Sequence, residues 1–329
     1  MNYRKLGPSD VEVSELGLGC AALGGLNWVK GRSHGWPEVD DDTIAEAVKV
    51  ALDSGVTHFD CADLYGNGEA ERRLSRVLER LGANADALVI SSKVGFLQGS
   101  APHPFDPFHI RQQCEQSLRN LRRDHIDLYY LHNAEFGEDD IYLEPAAETL
   151  DALVQEGKVR LKGQSAYTAQ DFEKTVPVVR PDVLQSRANL LDDRLIHPGS
   201  TVSDLLKQEK LSFIAFSPLA VGLLTGRFDP KEPPAFDDGD NRRHSPLFKP
   251  DFLAKVKQRL GRVRSRFGGS KDDLSAVALR FVLSHRGVAS VIPGFQNADE
   301  VRANLGVTQQ SFDVDDIDFL RECFEGLEM

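Results

Sequence analysis

Four residues in this chain have the types and spacing of a proton-transfer site. Asp60 closes the run Thr57-His58-Phe59-Asp60, Lys93 closes Leu88-Val89-Ile90-Ser91-Ser92-Lys93, and His132 closes Leu128-Tyr129-Tyr130-Leu131-His132. Tyr65 lies five positions past Asp60. The polar ends of the three runs are 33 and 39 residues apart. A strand, a helix and their connections need roughly 30 residues or more, so this is the repeat of consecutive βα units in a parallel sheet. In a (β/α)8 barrel, residues at the C-terminal strand ends face one mouth. Tyrosine, with an unperturbed pKa near ~10, is a reluctant acid at neutral pH. A cationic Lys93 beside Tyr65 would stabilise the phenolate and is expected to bring that pKa down. Asp60 would hold Lys93 charged and in place, and no metal or nucleophilic Ser or Cys is required.

The elements that must position these residues follow the same beat. Residues 1–14 read as a hairpin with Gly7-Pro8-Ser9-Asp10 as its turn. Leu16-Gly17-Leu18-Gly19-Cys20 reads as a first barrel strand, and further strands are expected at Leu161–Ser165, Val183–Arg187, Ser212–Phe216 and Val288–Ile292. With the three runs above, that makes eight. They are apolar without clean alternation, as strands covered on both faces are. Thr43-Ile44-Ala45-Glu46 has the form of a capping box opening a helix, with Gly55 as its stop. Asp106-Pro107 opens another helix, whose buried stripe is Ile110, Cys114, Leu118 and Leu121. The expected fold is therefore α/β, a (β/α)8 TIM barrel with an N-terminal β-hairpin, forming one domain over residues 1–329. One stretch breaks the beat. Between Pro218 and Asp272, after the seventh strand, lies a long loop whose polar centre, residues 237–244, is expected to be mobile. A helix carrying Phe252, Val256, Leu260, Val263 and Phe267 follows it.

Composition narrows the partners. A net charge of −12 argues against nucleic acid and anionic membranes. Cys20, Cys61, Cys114 and Cys323 fit no zinc pattern and make no disulfide scaffold, so buried thiols are expected. No apolar leader follows Met1, and no run approaches ~18 uninterrupted apolar residues. A cytoplasmic protein, monomer or small homo-oligomer, is expected.

Along almost its whole length the chain resembles the aldo-keto reductases. The matching stretches are Leu16–Cys20, Gly55-Val56-Thr57-His58-Phe59-Asp60-Cys61-Ala62-Asp63-Leu64-Tyr65-Gly66, Ile90–Lys93 and Asp127–His132. Gly157-Lys158-Val159-Arg160, Phe216–Arg227 and Ile292-Pro293-Gly294 continue the match in the same order. The resemblance implies a nicotinamide-dependent reductase of aldehydes or ketones whose catalytic tetrad is Asp60, Tyr65, Lys93 and His132. Reduction needs a hydride at carbon, which the cofactor carries, and a proton at oxygen. Tyr65 would give that proton, and His132 would hydrogen-bond the substrate oxygen or relay a proton. Singly, a Lys–Asp pair is often structural and a strand-end His is often a satisfied core residue. Together, in the family's spacing, they read as a site.

The resemblance also implies the cofactor contacts. Ser165 and Gln185 would hold the nicotinamide carboxamide. The family's Asn after that Ser is Ala166 here, which leaves Gln164 as a possible helper. Phe216 would stack on the nicotinamide, while Ser217, Leu219, Gly222 and Leu224 would wrap the pyrophosphate. After Gly294 the family often places a cation for a 2′-phosphate. Here stand Gln296, Glu300 and Asn304, with Arg302 as the nearest compensating charge. NADPH is expected, with NADH also used. A small carbonyl compound would bind against Trp28, Phe96 and Trp36, and such aromatic walls suit a cyclic or otherwise apolar substrate. A reading from another class is a cofactor-sensing regulatory subunit with little turnover.

Overall fold

The structure is a computed structural model that describes residues 1–29, 31–309 and 311–327. Eight parallel strands run in sequence order around a barrel: β1 (Leu18–Gly19), β2 (His58–Asp60), β3 (Val89–Val94), β4 (Ile126–Leu131), β5 (Val159–Ser165), β6 (Val183–Arg187), β7 (Ser212–Phe216) and β8 (Val288–Ile292). Closure between β1 and β8 rests on single bridges, Leu16 to Val291 and Gly19 to Gly294. β1 is shorter than its apolar run because Cys20 already enters a 3-10 turn, Cys20–Gly24. The registers Asp60↔Ser91 and Lys93↔Tyr130 set the tetrad strands side by side.

Two apolar cores flank the strands. Val89, Leu128, Tyr130, Leu161, Val183, Ile214 and Ala289 fill the barrel interior. The N-terminal hairpin, strands Tyr3–Lys5 and Glu12–Ser14, adds Leu6, Val11 and Val13 to that cluster. Gly163 is required there. A Cβ on it would lie 2.2 Å from the Tyr130 ring. The larger core lies between the strands and the helices α1 (Asp41–Asp53), α2 (Glu69–Arg80), α3 (Pro107–Leu121), α4 (Leu143–Gln155), α5 (Ala169–Val179), α6 (Thr201–Gln208), α7 (Pro250–Phe267), α8 (Lys271–Leu283), α9 (Ala298–Leu305) and α10 (Val314–Phe324). All four cysteines are buried and unpaired.

Two expectations need correction. The capping box does not open α1. Asp40 is the N-cap, accepting from the Thr43 N–H at 2.9 Å and the Thr43 hydroxyl at 2.8 Å. Asp caps as well as Thr does, and Asp41 and Asp42 then suit the positive end of the helix dipole. The second correction concerns the polar stretch after β7, which is anchored rather than loose. Asp240 and Arg242 are buried and paired at 2.7 Å. The Gly35 N–H donates to the Gly239 carbonyl, and the Asn241 N–H donates back to the Gly35 carbonyl, at 2.9 and 3.0 Å. Charged residues read as solvated loop in a sequence, but here they satisfy one another and tie this segment to the loop after β1.

Candidate active site

The site is assembled from strand ends and the loops that follow them. Asp60 ends β2, and the chain then turns through residues 61–68 before α2 begins. Gly66 (φ +60°) nests against Gly24. A Cβ there would meet the Gly24 carbonyl oxygen at 2.3 Å, so only glycine lets the two loops touch. Asn27 donates to the Leu64 carbonyl at 2.8 Å from the same side. These contacts fix Tyr65, which lies between them. Lys93 lies in β3. His132 follows β4 directly, its N–H held by the Val94 carbonyl at 2.8 Å.

The Lys93 ammonium is buried and has three partners. It pairs with Asp60 Oδ1, donates to the Cys61 carbonyl at 2.6 Å, and reaches the Tyr65 hydroxyl at 3.3 Å. The other Asp60 oxygen accepts from Ser91 Oγ at 2.7 Å and from Gln185 Nε2 at 2.9 Å. Burial works against the charge of Lys93, yet Asp60 and Tyr65 outweigh it and leave the pKa raised, so the ammonium persists. Tyr65 departs from expectation. Burial pushes its hydroxyl up to about 12, and the lowering by Lys93 only partly offsets that. The phenol is therefore a firmly protonated donor. Burial, reinforced by Lys93 and His34, holds the His132 imidazole well below its usual value and hence neutral. Phe96 packs edge-on against that ring at 4.7 Å, and Tyr65 does so at 6.1 Å.

A cavity of about 410 Å³ opens above these groups. Asp60, Tyr65 and His132 form part of its wall, with Lys93 behind them. Ser165, Gln185, Phe216, Ser217, Leu219 and Gly222 line it as well, as do Gly294, Gln296, Glu300 and Asn304. Leu224 is fully buried and is not part of the wall. Phe96 and Trp36 line the cavity, whereas Trp28 is half exposed outside it, its ring over Gly239. Gln164 has spent its amide N–H groups on the carbonyls of Asn133 and Ser165, at 2.9 and 2.8 Å, and is fully buried. Arg302 pairs with Asp299 and Glu46 and does not reach the cavity. Sequence reasoning did not single out His34, Tyr167, Arg227, Asn241, Arg242 or Lys271, all of which line it. Only Arg227 lay inside a quoted motif. The others come from loops and from the start of α8, which spacing does not reveal.

Two observations fit a dinucleotide. After β7, Ser217, Ala220, Val221 and Gly222 all have φ between 49° and 95°, a tight left-handed turn that sets Ser217, Val221 and Gly222 on the cavity wall. At the cavity wall, Asn304 Nδ2 is buried with no hydrogen-bond partner among the described residues. Arg227 and Glu300, on the same cavity wall, pair at 3.1 Å, and Glu300 also accepts from the Gln296 N–H at 3.0 Å.

The model of the aldo/keto reductase family matches residues 15–325. The chain belongs to the aldo/keto reductase family. This reductase is 27% identical over 322 residues to the aldo-keto reductase YhdN of Bacillus subtilis, covering 96% of this chain and 91% of that one. It is 28% identical over 318 residues to the L-galactose dehydrogenase of Arabidopsis thaliana, covering 94% and 89%. It is 27% identical over 319 residues to the L-glyceraldehyde 3-phosphate reductase of Escherichia coli K12, covering 93% and 87%. Its barrel superposes on the holo form of aldo-keto reductase AKR11C1 from Bacillus halodurans with a TM-score of 0.79 at 24% identity, covering 100% and 98%. Membership makes the reductase an oxidoreductase of carbonyl compounds that works with a nicotinamide cofactor. Among its described residues no helix is long and apolar enough to cross a membrane.

Proposed function

We propose that the reductase converts an aldehyde or ketone to an alcohol with Tyr65 as general acid, using NADPH and, less readily, NADH. The observation that carries this is the Lys93 ammonium shared between Asp60 and the Tyr65 hydroxyl on the cavity wall. Ser165, Phe216 and the left-handed turn after β7 would hold the nicotinamide and pyrophosphate, and Gln296, Glu300 and Asn304 would hold the adenosine end. When bound, the cofactor supplies the hydride.

The chain's own residues supply the rest. A neutral His132 has an N–H to donate to the substrate oxygen, which places that oxygen beside Tyr65. As negative charge develops on that oxygen, Tyr65 gives up its proton. A phenol near pKa 12 is still more acidic than water at about 15.7, so an incipient alkoxide is basic enough to take the proton. Lys93, already cationic, then faces the phenolate it leaves behind. Asp60 keeps Lys93 in place, and Ser91 and Gln185 keep Asp60 in place.

Names among the relatives run from L-galactose to L-glyceraldehyde 3-phosphate, so similarity selects no substrate. The reductase would work in the cytoplasm as a single barrel domain, monomeric or in a small homo-oligomer. The test is cofactor titration by fluorescence with NADPH and NADH, followed by turnover on a carbonyl panel. Tight cofactor binding with no turnover on any carbonyl would instead support the regulatory-subunit reading.

A further inference from the structure

Taking the carbonyl-reductase reading as given, we propose that the substrate compartment is built for a neutral, hydroxylated carbonyl compound. A short aldose or hydroxyketone fits it, and a phosphorylated, carboxylated or wholly apolar carbonyl does not.

The first reason is charge. Beyond Tyr65 and His132 the wall is made by His34, Trp36, Phe96, Tyr167, Asn241 and Arg242. Arg242 carries the one fixed charge in that group, and that charge is already paired. Its Nε and Nη2 donate to the two oxygens of the buried Asp240 at 3.0 and 2.7 Å. Its faces are covered by Trp36 and Phe236, at 4.7 and 4.5 Å from the ring centres. Asp240 takes the Nε–Nη2 edge and neutralises the charge, which leaves a phosphate or carboxylate only the Nη1 end of a guanidinium already paired. Burial, with Arg32 adding to it, holds His34 below its usual value, so it is neutral at pH 7. Lys93 is committed to Asp60 and the Cys61 carbonyl behind Tyr65. Among the described residues of this group an anionic substrate finds no free cation, while Arg227 and Lys271 line the cavity with the residues assigned above to the cofactor.

The second reason is unspent hydrogen bonding. The His34 ring, the Tyr167 hydroxyl and the Asn241 amide make no side-chain hydrogen bond among the described residues, yet all three line the cavity. Together they offer donors and acceptors without charge, which is what hydroxyl groups match. Tyr167 is held edge-on against Phe216 at 6.1 Å, and Asn241 is fixed through its backbone to Gly35. An apolar aldehyde would cover these groups and give nothing back. Trp36 and Phe96 supply flat apolar faces between them, suited to the C–H surface of a polyol.

The test is a matched four-carbon series with saturating NADPH: erythrose, erythrose 4-phosphate and butanal, with benzaldehyde as the aromatic case. Erythrose is expected to exceed each of the others by tenfold or more in kcat/KM, chiefly through KM. Tyr167→Phe and Asn241→Leu should each shrink the erythrose-to-butanal ratio by threefold or more, since a site that hydrogen-bonds a hydroxyl discriminates by that bond. Asp240→Asn releases the Arg242 fork and should raise erythrose 4-phosphate relative to erythrose. Butanal, benzaldehyde or the phosphate ester matching erythrose on the wild-type enzyme overturns the inference while leaving the reductase reading intact. Cofactor binding with no turnover on any of the four overturns both.

Discussion

Gln185 hydrogen-bonds Asp60, its Nε2 2.9 Å from Oδ2, across 125 residues of sequence. The amide thereby shares with Ser91 the task of orienting the carboxylate whose other oxygen holds Lys93. Its Oε1 remains for the carboxamide contact that the family resemblance implies. On the proposed reading Gln185 would join cofactor placement to the proton-delivery machinery. Gln185→Leu should lower kcat by about tenfold, the scale of one hydrogen bond to a charged group. The carbonyl KM should move less. A kcat within twofold of wild type in steady-state assays would show that Ser91 alone suffices to orient Asp60.

Tyr65→Phe keeps the ring and removes the proton. Carbonyl reduction should fall by roughly 10² or more, the lower range for a lost general acid, with NADPH affinity little changed. Reduction needs the protonated phenol, so the rate should stay flat from pH 6 to 9 and fall only as pH approaches 12. Lys93→Met removes the one cation that offsets burial and should nearly abolish turnover. Asp60→Asn should cost less, because the ammonium keeps the Cys61 carbonyl as a partner. A rate that falls through pH 7 to 8 would mean that Tyr65 titrates far below the value its burial sets.

Much of this molecule can be read before any coordinates. Strands β6, β7 and β8 begin and end at the residues their apolar runs predict, because both faces of each strand are covered and the run itself is the signal. The four site residues converge because strand ends in a barrel share a mouth. Two kinds of feature were hidden. The pKa of Tyr65 is a balance of burial against Lys93, and sequence shows the charge but not the burial. Likewise the Asp240–Arg242 pair, two positions apart in a polar stretch, gives no sign that Trp36 and Phe236 will enclose it.

The barrel core carries its own pH sensitivity. His58 is fully buried between Ser91 and Ser290, and burial, partly offset by Asp60, lowers its pKa to about 4. An unfolded chain takes up that proton near pH ~6.5, while the folded one refuses it until about 4. The contribution is therefore complete above 6.5 and drains away as pH falls through that window, by on the order of 3 kcal/mol in all. Thermal melts between pH 7.5 and 4 should show it. His58→Gln should flatten the slope, and an unchanged slope would assign the acid sensitivity elsewhere.

Cofactor choice is expected to turn on Arg227 and Glu300, which pair at 3.1 Å beside Gln296, the position at which the family resemblance implies a cation for the 2′-phosphate. Gln296 supplies no charge, and its N–H is held by the same Glu300 carboxylate. The pair is partly exposed, so its own stabilisation is small. It matters because a bound 2′-phosphate and Glu300 would compete for one guanidinium. Glu300→Gln should therefore tighten NADPH by about tenfold, roughly 1.4 kcal/mol, while NADH, lacking the phosphate, changes little. Gln296→Arg in that background should add further affinity, within the range of about 1.5–3 kcal/mol for a hydrogen bond to a charged group. In the presence of Glu300 the same Arg should gain less, because the carboxylate is its nearer partner. Both gains should shrink as salt rises from 0.05 to about 0.5 M, since the groups are solvent-accessible. If Glu300→Gln tightens NADH and NADPH equally at low salt, the 2′-phosphate lies away from Arg227, and any preference for NADPH rests on another cation at the cavity, of which Lys271 is the first to replace.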